Sequence, residues 1–331
     1  MLIETTELTL GHVGLGTLSE PAALALFATA QAHELTAGTG GTLDEIVDAE
    51  GVPLYPAYFW LHLTVPPTAR LERHRLWRRV SVGVDVRRFG RLVLDSTYVL
   101  GGDREVPPCV DEWHDGRFVS MRAASLFVVD DGSPEPRPSA PRDGAMADLR
   151  VLARGPAAVD GYRRMRGRGT FGRDAWPFQT TAPIAHPAIA GRDGAAARNL
   201  MFATYVAIMD AAESVLLGGA GGWPALPAAM LDHRSALERE VFFLGHTRPG
   251  HTVLTDVRAR VVPCAPDLLG AERDVVPAAE LEVRAELYEA GSHTLLAVGR
   301  ARKLLAIPRA RASLIADVER WVAPARCLAE V

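Results

Sequence analysis

Two helical stretches about 180 residues apart, each apolar on nearly every face, constrain this chain more than any other feature. The first, SEPAALALFATAQAHELTAG (19–38), offers Ser19 as an N-cap, Pro21 in the first turn and Gly38 as a stop. The second, NLMFATYVAIMDAAESVLLGG (199–219), repeats the pattern and also ends on glycine. A helix without a polar face cannot lie on a surface, so something must enclose each of them.

The enclosing elements follow each helix in the same order. After the first come residues 55–65, 76–102 and 116–132; after the second come 239–262, 279–291 and 293–307. All alternate or run apolar in short segments broken by Gly and Asp, as antiparallel strands do. A buried helix followed by such strands implies a curved sheet wrapped around it. Two such units in one chain can join their sheets edge to edge. The expectation is an α+β fold of the double hot dog type, two antiparallel sheets each wrapped around a central helix. The period is too long for a solenoid and fits a duplicated domain. DDGSPEPRPSAPRDGA (130–145) cannot form a core, so the N-terminal domain is placed at 1–145, ending in a Pro-rich linker, and the C-terminal domain at 146–331.

Composition removes several classes of function. A net charge of −4 gives no basic field for nucleic acid. The three cysteines, Cys109, Cys264 and Cys327, lie too far apart for a zinc motif or a disulfide framework. No basic segment followed by an apolar core opens the chain, and no run of roughly 18 apolar residues stands out as a bilayer span. A cytoplasmic protein without membrane contact is expected. P-loop, Gly-x-Ser-x-Gly and metal-ligand patterns are missing, so no metal or redox cofactor is implied.

Four segments carry a family resemblance: LGHVGLGTLSE (10–20), GVPLYPAYFWLHL (51–63), NLMFATYVAIMD (199–210) and VFFLGHTRPGHTVL (241–254). The last holds an RPG step between strands, where glycine permits a bend. Together they resemble the bifunctional acyltransferase/decarboxylase of leinamycin polyketide biosynthesis and its relatives, enzymes of secondary metabolism. The resemblance implies decarboxylation of methylmalonyl-CoA, a propionyl ester on a tyrosine, and transfer to an acyl carrier protein. The family tyrosine falls on Tyr55.

The chemistry is sound in itself. A phenol, with a pKa near 10, leaves far more readily than a serine alkoxide, so an aryl ester can pass its acyl group to a thiol. Pro53 and Pro56 restrict the backbone on either side of Tyr55 and aim the ring. The plainer alternative is an edge tyrosine that packs its ring and hydrogen-bonds its hydroxyl.

Other residues are candidates with equally plain alternatives. Gly11, Gly14 and Gly16 precede a helix and could offer backbone N–H groups to a thioester oxygen, with His12 as donor; otherwise they form a turn. Asn199, His246 and Arg248 either contact substrate between the halves or serve as caps and loop residues. The arginines of GYRRMRGRGTFGR (161–173) either dock an acidic carrier protein or a CoA phosphate, or belong to a solvated linker. In TLDEIVDAEG (42–51), Asp44, Glu45, Asp48 and Glu50 form a solvated loop or supply a thioesterase base. Thioester hydrolysis or dehydration, and carrier-protein binding without catalysis, remain open. A homodimer is a further expectation.

Overall fold

The computed structural model describes the chain outside residues 10–12, 15–16, 38–41, 75–77, 103–104, 130–136, 172–175, 177, 189–200, 221–224, 232, 249, 263, 265–274 and 330–331. Its first half contains β1 (Leu2–Glu7), α1 (Glu20–Ala37), β2 (Leu54–Thr64), β3 (Arg79–Phe89), β4 (Val93–Leu100) and β5 (Val119–Val129). A helix, α2 (Ala157–Arg168), follows. The second half contains β6 (Ile184–Pro187), α3 (Phe202–Val215), β7 (Arg234–Phe243), β8 (Thr252–Val262), β9 (Val275–Glu289) and β10 (Leu295–Pro308), then α4 (Ala312–Ala329).

The main strands join one sheet in the order β1-β3-β4-β5-β2-β7-β10-β9-β8-β6. Numbered within its own half, each set follows 1-3-4-5-2 from its outer edge inward, which is the duplication expected of the sequence. The halves meet where β2 and β7 pair antiparallel, with Leu61 opposite Val241. Arg150–Val151 adds a short parallel strand beside β3, so the chain stays on the first half beyond the Pro-rich segment.

Both central helices lie on one face of this sheet and touch each other. Phe27, Leu24 and Ala23 of α1 and Val206, Ile208 and Met209 of α3 are buried in a core shared by both halves. Phe202–Ala220 reaches the length and hydropathy of a bilayer span, which corrects the expectation that no segment would. Here that segment is α3 and the wider turn after it, with 56% of its window buried.

A bulge in β2 decides which side chains face the helices. Tyr58 pairs with Ser125 and Trp60 with Ala124, so Phe59 is an extra residue. The shift lets Leu54, Tyr58, Leu61 and Leu63 all pack in the helix-side core, while Phe59 and Trp60 face the other way. There they meet Ala158 and Tyr162 of α2. The arginine-rich run read as a docking site or a linker is therefore, through Arg168, a surface helix anchored by an apolar stripe.

Charged side chains also cross the interior. Arg239 donates to Glu20 and to Asp210 (2.5 Å), while Lys303, the sole lysine, donates to Asp210 (2.6 Å) and reaches Glu213 (2.9 Å). Arg234 closes the chain of alternating charges on Glu213. Glu20 comes from α1 and the others from α3, β7 and β10, so the network ties the halves together.

Candidate active site between the two halves

The β2–β7 ladder stops at Trp60 and Phe242. Beyond them β2 continues along β5, with Tyr55 opposite Val128, while the N–H groups of Leu244 and Gly245 turn to the carbonyl of Leu296. The two strands separate, and a cavity of about 320 Å³ opens between them. Its walls come from Ala28, Gln31 and Ala32 of α1, Tyr55 to Tyr58 of β2, Phe202 and Tyr205 of α3, and Phe243, Gly245 and His246 after β7. Among the described lining residues there is no carboxylate.

Tyr55 is half-buried at this seam. The next phenol inward, Tyr58, packs its ring 4.3 Å from that of Phe202 at a tilt of 40° and belongs to a closed polar chain. Its hydroxyl donates to Gln31 Oε1 and lies 3.0 Å from the Tyr98 hydroxyl, while Gln31 Nε2 donates to Ser96 Oγ at 3.1 Å. Burial pushes the Tyr58 and Tyr98 phenols well above their ordinary range, so both stay protonated.

Tyr205 differs from them. Only 2% exposed, it lines the cavity and packs edge-on to Phe243 at 5.7 Å, yet its hydroxyl proton has no acceptor among the described residues. Burial raises its pKa, as does the proximity of Glu289 and Tyr55, although the backbone N–H of Thr247, directed at the phenol oxygen, acts the other way. The sequence does flag it as a lone phenol in ATYVAIM (203–209), but an apolar helix reads as core, and only the pairing of the halves brings it beside Tyr55.

No protein-family model matches this chain, and no curated protein matches it in sequence. Solved structures do. A candidate oleoyl thioesterase from Lactobacillus plantarum superposes with a TM-score of 0.60 at 11% identity, over 93% of this chain and 96% of that one. An acyl-ACP thioesterase from Bacteroides thetaiotaomicron VPI-5482 gives 0.54 at 11% identity, over 91% and 96%. A 12:0-ACP thioesterase from Umbellularia californica gives 0.54 at 12% identity, over 91% and 93%. The fold is a double hot dog. At such identities the likeness concerns the fold alone.

The structure sorts the other candidates. His246 lines the cavity and keeps access to solvent; desolvation lowers its pKa, which favours the neutral imidazole. Arg248 sits in the turn closed by the His251 N–H on its carbonyl and is not among the lining residues, which removes it from the cavity wall. Gly250, in that turn, has a φ of 95°, the bend the RPG step requires. The backbone of Gly14 pairs with Thr17 in a two-stranded ribbon. Gly11, His12, Gly16 and Asn199 lie outside the described residues. The acidic loop offers no base to the cavity: Asp48 is buried and accepts the N–H groups of Glu50 (3.1 Å) and Val52 (2.9 Å), while Glu45 is exposed and does not line it. Asp48 is thus a turn-forming residue.

Proposed function

We propose that this protein is an enzyme of acyl-thioester chemistry, an acyltransferase/decarboxylase that carries its acyl group on Tyr55. The observation that supports this reading is the position of Tyr55, half-buried in an apolar cavity between the halves whose described lining holds phenols, an amide and an imidazole but no carboxylate. A thioester hydrolase of the carboxylate-base type needs a group that none of the described lining residues supplies. The three superposing structures are named as thioesterases, two of them for ACP-bound substrates, which supports acyl thioesters, those on a carrier protein among them, as the substrate class.

The reaction balances as follows. A (methyl)malonyl thioester loses CO2, and the bonding pair moves through Cα to the thioester oxygen as an enolate. Protonation of Cα from solvent leaves an acyl thioester. The Tyr55 oxygen attacks its carbonyl carbon, the phenolic proton passes to neutral His246, and collapse of the tetrahedral centre expels CoA thiolate, which takes that proton. The thiol of an acyl carrier protein then reverses the exchange. No redox equivalent is consumed. The apolar wall of Phe202, Phe243 and Leu43 limits hydrolysis of the ester.

Incubation with methylmalonyl-CoA or malonyl-CoA followed by intact-mass measurement tests the reading. A stable acyl adduct on the wild type that is absent from Tyr55→Phe is expected. Free acid released at equal rates by wild type and Tyr55→Phe would instead assign hydrolysis.

A further inference from the structure

Tyr58 directs its hydroxyl into a set of buried partners, whereas Tyr205 does not. Tyr58, Tyr98, Gln31 and Ser96 form a closed set of hydrogen bonds. Tyr205 is 2% exposed, on the same cavity wall, with a hydroxyl proton that has no acceptor among the described residues. A buried donor left unsatisfied destabilises a fold, and such groups in native proteins call for an explanation. A ligand oxygen in the cavity supplies one.

We infer that the Tyr205 hydroxyl is a catalytic hydrogen-bond donor to the carbonyl oxygen of the bound thioester. The inference rests on the thioester reading given above. Its chemistry follows from the reaction. Both the enolate left by decarboxylation and the tetrahedral adduct with Tyr55 place negative charge on that oxygen, and a fixed donor in a dry site stabilises both. The donor must keep its proton throughout, and burial ensures that Tyr205 does. The rigid seat of Tyr205 on α3, edge-on to Phe243, provides the fixed geometry.

The test uses Tyr55→Phe protein, which binds a thioester without becoming acylated, and a propionyl-CoA labelled with 13C at the carbonyl. Infrared difference spectra should show the bound carbonyl stretch displaced to lower frequency, and Tyr205→Phe in the same background should restore it towards the solution value. In otherwise native protein, Tyr205→Phe should lower kcat for adduct formation by about 100-fold or more, with a smaller change in KM. Its Tm should be equal to or above that of the wild type, because the substitution removes an orphaned hydroxyl. A displaced stretch that persists in Tyr205→Phe, or a Tyr205→Phe protein that melts well below the wild type, overturns the assignment while leaving the thioester reading intact. Absence of propionyl-CoA binding by the Tyr55→Phe protein, with no adduct on the wild type, overturns the thioester reading and this inference with it.

Discussion

Trp60 and Phe242 are the last residues paired between the two halves, and Gly245, three positions beyond Phe242, already lines the cavity. The separation depends on close packing at that glycine. A Cβ on Gly245 would lie 2.9 Å from the carbonyl oxygen of Leu295, a backbone atom that cannot rotate aside. Gly245→Ala should therefore displace the strand at the cavity mouth and cost about 1–3 kcal/mol of stability, with weaker binding of acyl-CoA. Gly291→Ala is the control, because nothing lies within 4 Å of its added carbon. Urea denaturation of the two variants should show a lowered midpoint for the first and a change within about 0.5 kcal/mol for the second.

Gln31 links α1 to the floor of the cavity through Tyr58 and Ser96. Gln31→Leu takes one hydrogen-bond partner each from Ser96 and Tyr58, at an expected cost of about 1–3 kcal/mol. Tyr58→Phe removes the other end of the same bond. In a double-mutant cycle the combined cost should be smaller than the sum of the two, with a coupling of about 0.5 kcal/mol or more, measured by chemical denaturation. Strict additivity would mean that the bond carries no net stability.

Much of the fold was legible because its signals are local. Continuous apolarity marked α1 and α3, alternation marked the long strands, and the RPG step marked the β7–β8 bend at Gly250. The bulge at Phe59 was hidden, because an unbroken run of aromatics does not show on which residue the alternation slips. The helix α2 was also missed. Ala158, Tyr162 and Met165 follow helical spacing and all pack inward, but the surrounding arginines dominate the composition. Of the residues that line the cavity, the sequence singled out His246 and, by its flanking prolines, Tyr55. The partners that surround it come from α1, α3 and the segment after β7, elements far apart in the chain that meet only through the pairing of the halves.

Lys303 holds Asp210 and Glu213 together in the interior, and its removal should be among the costliest single changes away from the cavity. Burial alone would raise the Asp210 pKa, but Arg239 and Lys303 outweigh it and pull the group down to about 2. A depressed carboxylate of this kind adds stability that is present above its ordinary value, 3.8, and lost as pH falls towards the folded value. Lys303→Met leaves carboxylates underpaired, for an expected loss of about 3–5 kcal/mol at neutral pH. It also lets the Asp210 pKa rise, so acid unfolding followed by circular dichroism should begin at a higher pH than in the wild type. Acid midpoints that coincide would show that Lys303 does not govern the titration of Asp210.

His246 gives the proposed acyl transfer a pH signature. Desolvation lowers its folded-state pKa below the ordinary 6.5, so the imidazole is neutral at pH 7 and ready to take the Tyr55 proton. Protonation from solution removes that capacity. The rate of adduct formation should therefore be level around neutrality and fall in acid, with an apparent pKa below 6.5. The linkage to folding has a matching sign. The unfolded chain binds this proton more readily than the native one, so His246 lowers stability as pH falls below its unfolded value and contributes no pH dependence above it. His246→Gln keeps a polar side chain but cannot titrate. It should slow adduct formation by about 100-fold and flatten the acid limb, measured by intact-mass time courses between pH 5 and 8 with methylmalonyl-CoA as the acyl donor. An unchanged acid limb in His246→Gln would transfer the role of proton acceptor to another group in the cavity.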